Sequence, residues 1–148
     1  MIDLIDPFIH DHSFAILFIS ECKAIADVAF VIDSSGSIGR RNWQRAKEFL
    51  VDVVKQFKVS AEGTHVGIVM YSNKAEVVFK FNTLQGSQVS ASEYEKLINN
   101  MRWQRGYTFI DRGIAKANEE LFTAEGGMRN DVNKVRSLIV IYSEGLFI

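Results

Sequence analysis

The sequence predicts an α/β fold built on a doubly wound, mainly parallel central sheet with helices on both faces. Three observations carry that prediction. Asp27-Val28-Ala29-Phe30-Val31-Ile32 and Ser137-Leu138-Ile139-Val140-Ile141-Tyr142 are nearly continuous apolar runs, as strands buried on both faces are. Between them lie stretches whose apolar residues recur at helical spacing. Strands alternating with helices in this way build a parallel sheet rather than a sandwich or a bundle.

Taken in order, the first strand ends at Asp33 and is followed by the glycine-rich turn Ser34-Ser35-Gly36-Ser37-Ile38-Gly39. Trp43, Ala46, Leu50, Val53 and Phe57 then mark one face of a helix. Its other face carries Arg40, Arg41, Arg45, Lys47, Lys55 and Lys58 against Glu48 and Asp52, and reads as a solvated face. His65–Tyr71 is a second strand. After the polar break Ser72-Asn73-Lys74, the run from Ala75 to Phe81 suggests a hairpin to an antiparallel edge strand. Ser90 with Glu93, or Ser92 with Glu95, forms a capping box that opens a helix with Tyr94, Leu97, Ile98 and Met101 on one face. Ile110, Ile114, Ala117 and Leu121 mark a further helix, with Gly126-Gly127 as its stop signal.

Composition narrows the function. The 148 residues are 47% hydrophobic and 24% charged, which suits one globular domain. Seventeen Lys and Arg against 18 Asp and Glu give a net charge of −1, without the basic surplus that phosphate contacts require, so no nucleic-acid partner is expected. Cys22 is the only cysteine, which excludes an internal disulfide framework and any multi-thiolate zinc site. No apolar run approaches the roughly 20 residues needed to cross a bilayer. Residues 1–24 are left as an unassigned N-terminal extension. Their apolar stretch, Phe14–Ile19, follows Asp3, Asp6 and Asp11 where a secretory signal carries Lys or Arg, so it makes no convincing signal peptide. His10-Asp11-His12 reads as a solvated polar turn in preference to a metal cluster, because no further ligand lies nearby.

In open α/β sheets, reactive residues gather beyond the carboxyl ends of the strands. Three stretches arrive there: Asp33-Ser34-Ser35-Gly36-Ser37, Gly106-Tyr107-Thr108 and Ser143-Glu144-Gly145. Their donors are all oxygen, which suits a hard cation such as Mg²⁺ and disfavours zinc or copper. With Asp33 as the one charged ligand, the ion keeps positive charge and attracts a carboxylate from another molecule. Thr108 with Asp111 also has a plain reading, as a helix cap. Arg102, Trp103, Arg105 and Tyr107 precede Thr108 and rim the site, the arginines favouring an acidic ligand; packing over the sheet edge is an equal reading for Trp103.

These residues resemble a von Willebrand factor type A domain. The resemblance rests on Asp33-x-Ser35-x-Ser37 after an apolar strand, Thr108 at a helix start, and an acidic-Gly turn after the last strand. It implies a Rossmann-like sheet and a metal-ion-dependent adhesion site in which Asp33, Ser35, Ser37, Thr108 and Glu144 hold Mg²⁺, or Mn²⁺ or Ca²⁺ in its place. Glu144 stands where the family carries Asp. The wording from Cys22 to Gly39 is similar to the extracellular branch, as in matrilins, collagen-associated A domains and surface adhesins. It implies an extracellular, secreted or cell-surface adhesion module that binds an acidic residue of a matrix or collagen-like protein. The resemblance extends over residues 25–148, roughly the first two-thirds of such a domain, so the fold is expected to be incomplete. It also leaves Cys22 without the cysteine that the branch places beyond its C-terminal helix. Two alternatives are kept: a module of an intracellular chelatase-like or transport assembly, and a phosphatase-like α/β enzyme. The second is disfavoured, since Ser35 stands where such a phosphatase needs a second Asp, and no enzyme activity is expected.

Overall fold

A computed structural model describes residues 25–142 and 145–147. Five strands form one sheet in the order β3-β2-β1-β4-β5, with β1 Ala26–Asp33, β2 His65–Tyr71, β3 Ala75–Phe79, β4 Asn133–Tyr142 and β5 Gly145–Phe147. The three central strands are parallel: Val28 pairs with Val66 of β2 on one side and with Val135 of β4 on the other. Both outer strands run antiparallel to their neighbours, β3 against β2 with a register shift at Ile68–Val69, and β5 against β4. The hairpin to an antiparallel edge was expected from the sequence. The strand β5 was not, because Gly145-Leu146-Phe147 is too short for alternation to show.

Three helices are α1 Gly39–Lys55, α2 Ala91–Asn99 and α3 Ile110–Lys116. Every residue of β1 is buried, and its period of two sorts the core. Val28, Phe30 and Ile32, with Val66, Ile68 and Met70 of β2, face Trp43, Ala46 and Leu50 of α1 and Tyr94 and Ile98 of α2. Ala29 and Val31, with Val69 and Tyr71, face Ala117 and Leu121. Helices therefore cover both faces of the sheet. Burying all of Val, Ile, Leu and Phe on two faces contributes about 1.5–3 kcal/mol per side chain before entropy is counted.

The capping box resolves to the first alternative: Ser90 Oγ accepts the Glu93 backbone N–H at 3.3 Å. The third helix departs from its sequence pattern. After Lys116 it widens into a π-helical turn, Ala117–Leu121, and stops there, five residues before Gly126. The wider turn swings Ala117 and Leu121 onto the sheet while Ile110 and Ile114 stay 36% and 43% exposed. Gly127, with φ 81°, closes the following turn instead of the helix.

A buried ion pair anchors the amino end of β1. Asp27 is fully buried, and Arg129 meets it twice: its backbone N–H donates to Oδ2 at 2.7 Å and its Nε to Oδ1 at 2.8 Å. The Arg129 Nη2 also donates to the carbonyls of Ala26 and Gly63 at 3.0 and 2.9 Å. Fork geometry of this kind satisfies a desolvated carboxylate and ties the loop before β4 to β1. No helix among the described residues is long and apolar enough to cross a membrane.

Candidate metal centre at the carboxyl end of β1

From β1 the chain steps out to β2 and β3 on one side, then returns past β1 to β4 on the other. The strand order therefore reverses at β1, and Asp33 is its last residue. The Asp33 carboxyl is 2% exposed. Its Oδ1 accepts the Ser35 N–H at 2.7 Å, which turns the chain sharply as Asx turns do. Among the described residues it has no other hydrogen-bond partner and no cationic neighbour within ion-pair distance.

The turn brings the two expected hydroxyls together: Ser35 Oγ and Ser37 Oγ are 2.9 Å apart. Ser35 is fully buried and Ser37 exposed, so the pair bridges interior and surface. Adjacent oxygens around a six-coordinate Mg²⁺ with bonds near 2.1 Å sit about 3.0 Å apart, so this spacing fits a hard cation. Among the described residues there is no group of three His, Cys, Asp or Glu, so the oxygen set around Asp33 is hydroxyl-rich.

A second loop is stitched onto the first. Arg105 N donates to Ser34 O at 2.8 Å, Gly36 N to Gly106 O at 2.8 Å, and Trp103 Nε1 to Ser35 O at 2.8 Å. These bonds carry Gly106-Tyr107-Thr108 to the carboxyl end of β1. Thr108 is exposed and precedes Phe109, the residue at the N-cap of α3, which makes no side-chain cap. The capping role for Thr108 and Asp111 is therefore not the one adopted, and the threonine hydroxyl is not spent on the helix. Trp103 packs against the core and donates to the turn that follows β1.

Three residues of this scaffold were not singled out from the sequence. Ser34 Oγ, fully buried, has one proton to share between Tyr71 O at 3.0 Å and Gln104 Oε1 at 2.8 Å. The same Gln104 oxygen accepts from Ser72 Oγ at 3.0 Å, and its Nε2 donates to Glu76 Oε1 at 2.7 Å, which fixes the amide's orientation. Asn73 accepts the Tyr107 N–H on its side-chain oxygen at 2.8 Å, and its carbonyl accepts from Arg112. Ser34 was visible inside the motif; Gln104 and Asn73 carry no local signal. Glu144, Cys22 and His10-Asp11-His12 lie outside the described residues.

The profile of the von Willebrand factor type A domain matches residues 27–146. The chain belongs to this family. Among its relatives are the collagen alpha-5(VI) chain of Mus musculus, 31% identical over 90% of this chain and 5% of the relative, and integrin alpha-X of Mus musculus, 34% identical over 82% and 10%. Proximal thread matrix protein 1 from the mussel byssus superposes with a TM-score of 0.70 at 28% identity, covering 82% of this chain and 30% of that one. This chain thus spans under a third of each of these proteins. The A-domain relatives are extracellular matrix proteins and an integrin. The byssus protein carries zinc in its metal-ion-dependent adhesion site. The sequence-based expectation that such oxygen-rich sites disfavour zinc does not hold for that relative.

Proposed function

We propose that this domain is a metal-dependent adhesion module of an extracellular protein, in which Asp33, Ser35, Ser37 and Thr108 hold Mg²⁺ directly and Glu144 stands in reserve as a second carboxylate. The bound ion supplies an open coordination position for an acidic side chain of the partner. Asp33 provides the charge that retains the ion, and its burial shields that charge from competing water. Ser35 and Ser37 add neutral oxygens, so the positive charge is only partly compensated and a partner's carboxylate is drawn in. The observation that supports it best is the stitching of the Trp103–Gly106 loop to Ser34–Gly36, because it fastens the segment leading into Thr108 to the turn that holds Ser35 and Ser37. Residues 25–148 then form the greater part of one A domain, located outside the cell like its relatives.

Isothermal titration with MgCl₂ and MnCl₂ tests the reading. The chain should bind one divalent ion, and Asp33→Ala should bind none, since it removes the charged donor. Binding to a panel of matrix proteins should vanish in EDTA and return with Mg²⁺. Unchanged Mg²⁺ affinity in Asp33→Ala, or adhesion indifferent to EDTA, would overturn it.

A further inference from the structure

Beside the candidate metal centre the surface is both cationic and aromatic. Residues 102–112 hold Arg102, Arg105 and Arg112 against the single acid Asp111. Among the described residues none of the three arginines forms an ion pair, whereas Lys55, Lys96, Lys116 and Arg129 each do. Two of them lie on aromatic rings: the Arg105 guanidinium stands 5.0 Å from the centre of the Trp103 ring, and that of Arg112 4.0 Å from Phe109. Tyr107 between them is 77% exposed, and Phe109 36%.

Stacking matters because it settles in advance where the guanidinium points. A planar cation on a ring keeps its N–H edge outward and loses less freedom on meeting a carboxylate than a free arginine does. Arg112 is held further by its bond to the Asn73 carbonyl, and Arg105 by a left-handed backbone, φ 65°, that its N–H bond to Ser34 O maintains. Tyr107 and Phe109 lie between these two cations along the chain, Tyr107 exposed and Phe109 carrying Arg112 on one face. A partner segment carrying one acidic residue, then an aromatic one, then a second acidic one would match the surface in charge and polarity.

We propose that Arg105, Tyr107, Phe109 and Arg112 form a specificity shoulder that selects an acidic–aromatic–acidic segment of the protein partner. The proposal rests on the metal-site reading for the first acidic residue only. The aromatic residue packs on Tyr107 and Phe109, and the second carboxylate takes the outward edge of Arg112 or Arg105 as a paired acceptor.

Two fluorescein-labelled peptides test it by anisotropy, Ser-Glu-Phe-Asp-Ser and Ser-Glu-Ser-Ser-Ser, each in MgCl₂ and in EDTA. The first should bind roughly tenfold more tightly, as one charge-assisted bidentate contact and one ring contact allow. The double variant Arg105→Gln, Arg112→Gln should lose that preference. Phe109→Ser, at a surface position and free of any change in charge, should reduce it while leaving salt dependence intact. Equal affinity for both peptides, with Mg²⁺ binding demonstrated by calorimetry, would overturn the shoulder and leave the metal site standing. A preference for the Glu-Phe-Asp peptide that persists in EDTA, with no Mg²⁺ heat, would uphold the shoulder and remove the metal reading.

Discussion

Trp103 donates its indole N–H to the carbonyl oxygen of Ser35, 68 residues earlier, at 2.8 Å. The two belong to different loops, and the bond fixes the backbone of a residue whose own hydroxyl faces Ser37. Trp103→Phe keeps most of the ring volume and removes the donor, leaving a partly buried carbonyl unpaired. A loss of about 1–3 kcal/mol is expected, with weaker Mg²⁺ binding although the ring is not a ligand. Denaturant titration and calorimetry on one preparation check both. Unchanged Mg²⁺ affinity would show that Trp103 packs without positioning.

Gly106 is the position where a side chain is least tolerated in the site. Its φ is 89°, and a Cβ there would stand 2.8–2.9 Å from three atoms of the Asn73 side chain. Gly106→Ala should cost about 1–3 kcal/mol through left-handed strain alone. It should also break the Asn73–Tyr107 and Gly36–Gly106 bonds and weaken Mg²⁺ and peptide binding together. A variant with wild-type melting temperature and affinity would contradict this.

Arg129 and Asp27 act on stability alone, at the other end of β1. Arg129→Ala leaves a fully buried carboxylate without its cation, and breaking such a pair costs about 3–5 kcal/mol. Urea unfolding should show that loss, while Mg²⁺ affinity of the folded fraction stays at its wild-type value. A loss under about 1 kcal/mol would mean that water replaces the guanidinium.

Tyr94 gives the fold an alkaline limit. Burial is the main cause that pushes its phenol above the ordinary value of 10.0, opposed by the N–H bond it accepts from Val66 at 3.0 Å. An acid held more tightly in the folded state adds stability that is fully present below the unfolded value. That stability is lost as pH rises through 10.0 toward the higher folded value. Thermal melts above pH 10 should therefore fall more steeply for wild type than for Tyr94→Phe. At neutral pH the variant should be less stable by about 1–3 kcal/mol, since the Val66 N–H loses its acceptor. Parallel pH profiles would refute the assignment.

Much of this was legible in the chain, and the legible part is the local part. A strand buried on both faces leaves no polar position to interrupt its run, so β1 could be read directly, and the unbroken apolar run Leu138–Tyr142 marked β4 in the same way. Asp33, Ser35 and Ser37 were legible because one turn brings them together. Gln104 was not, since its partners Ser34 and Ser72 lie 70 and 32 residues away and any polar residue satisfies a loop by itself. Asp27 looked like the polar start of an apolar strand; its reason is Arg129, 102 residues on. The misplaced end of α3 has a physical origin too, because a π-helical turn rotates the next side chains away from the 3.6-residue stripe.

One strand links the candidate adhesion site to the polypeptide preceding the domain. From Ala26 to Asp33, β1 is an extended segment of about 23 Å, bonded along nearly its whole length to parallel neighbours on both sides. A partner tugging at the Asp33 end against the chain that enters at Ala26 stretches β1 along its own axis. The load then runs along the already extended covalent backbone of β1 itself, and the hydrogen bonds on its flanks are not sheared, whereas a strand peeled from an edge loses them one by one. Pulling experiments along β1 and across it would separate the two cases by their rupture force. A load carried between Asp33 and Ala26 is thus the one this sheet withstands best.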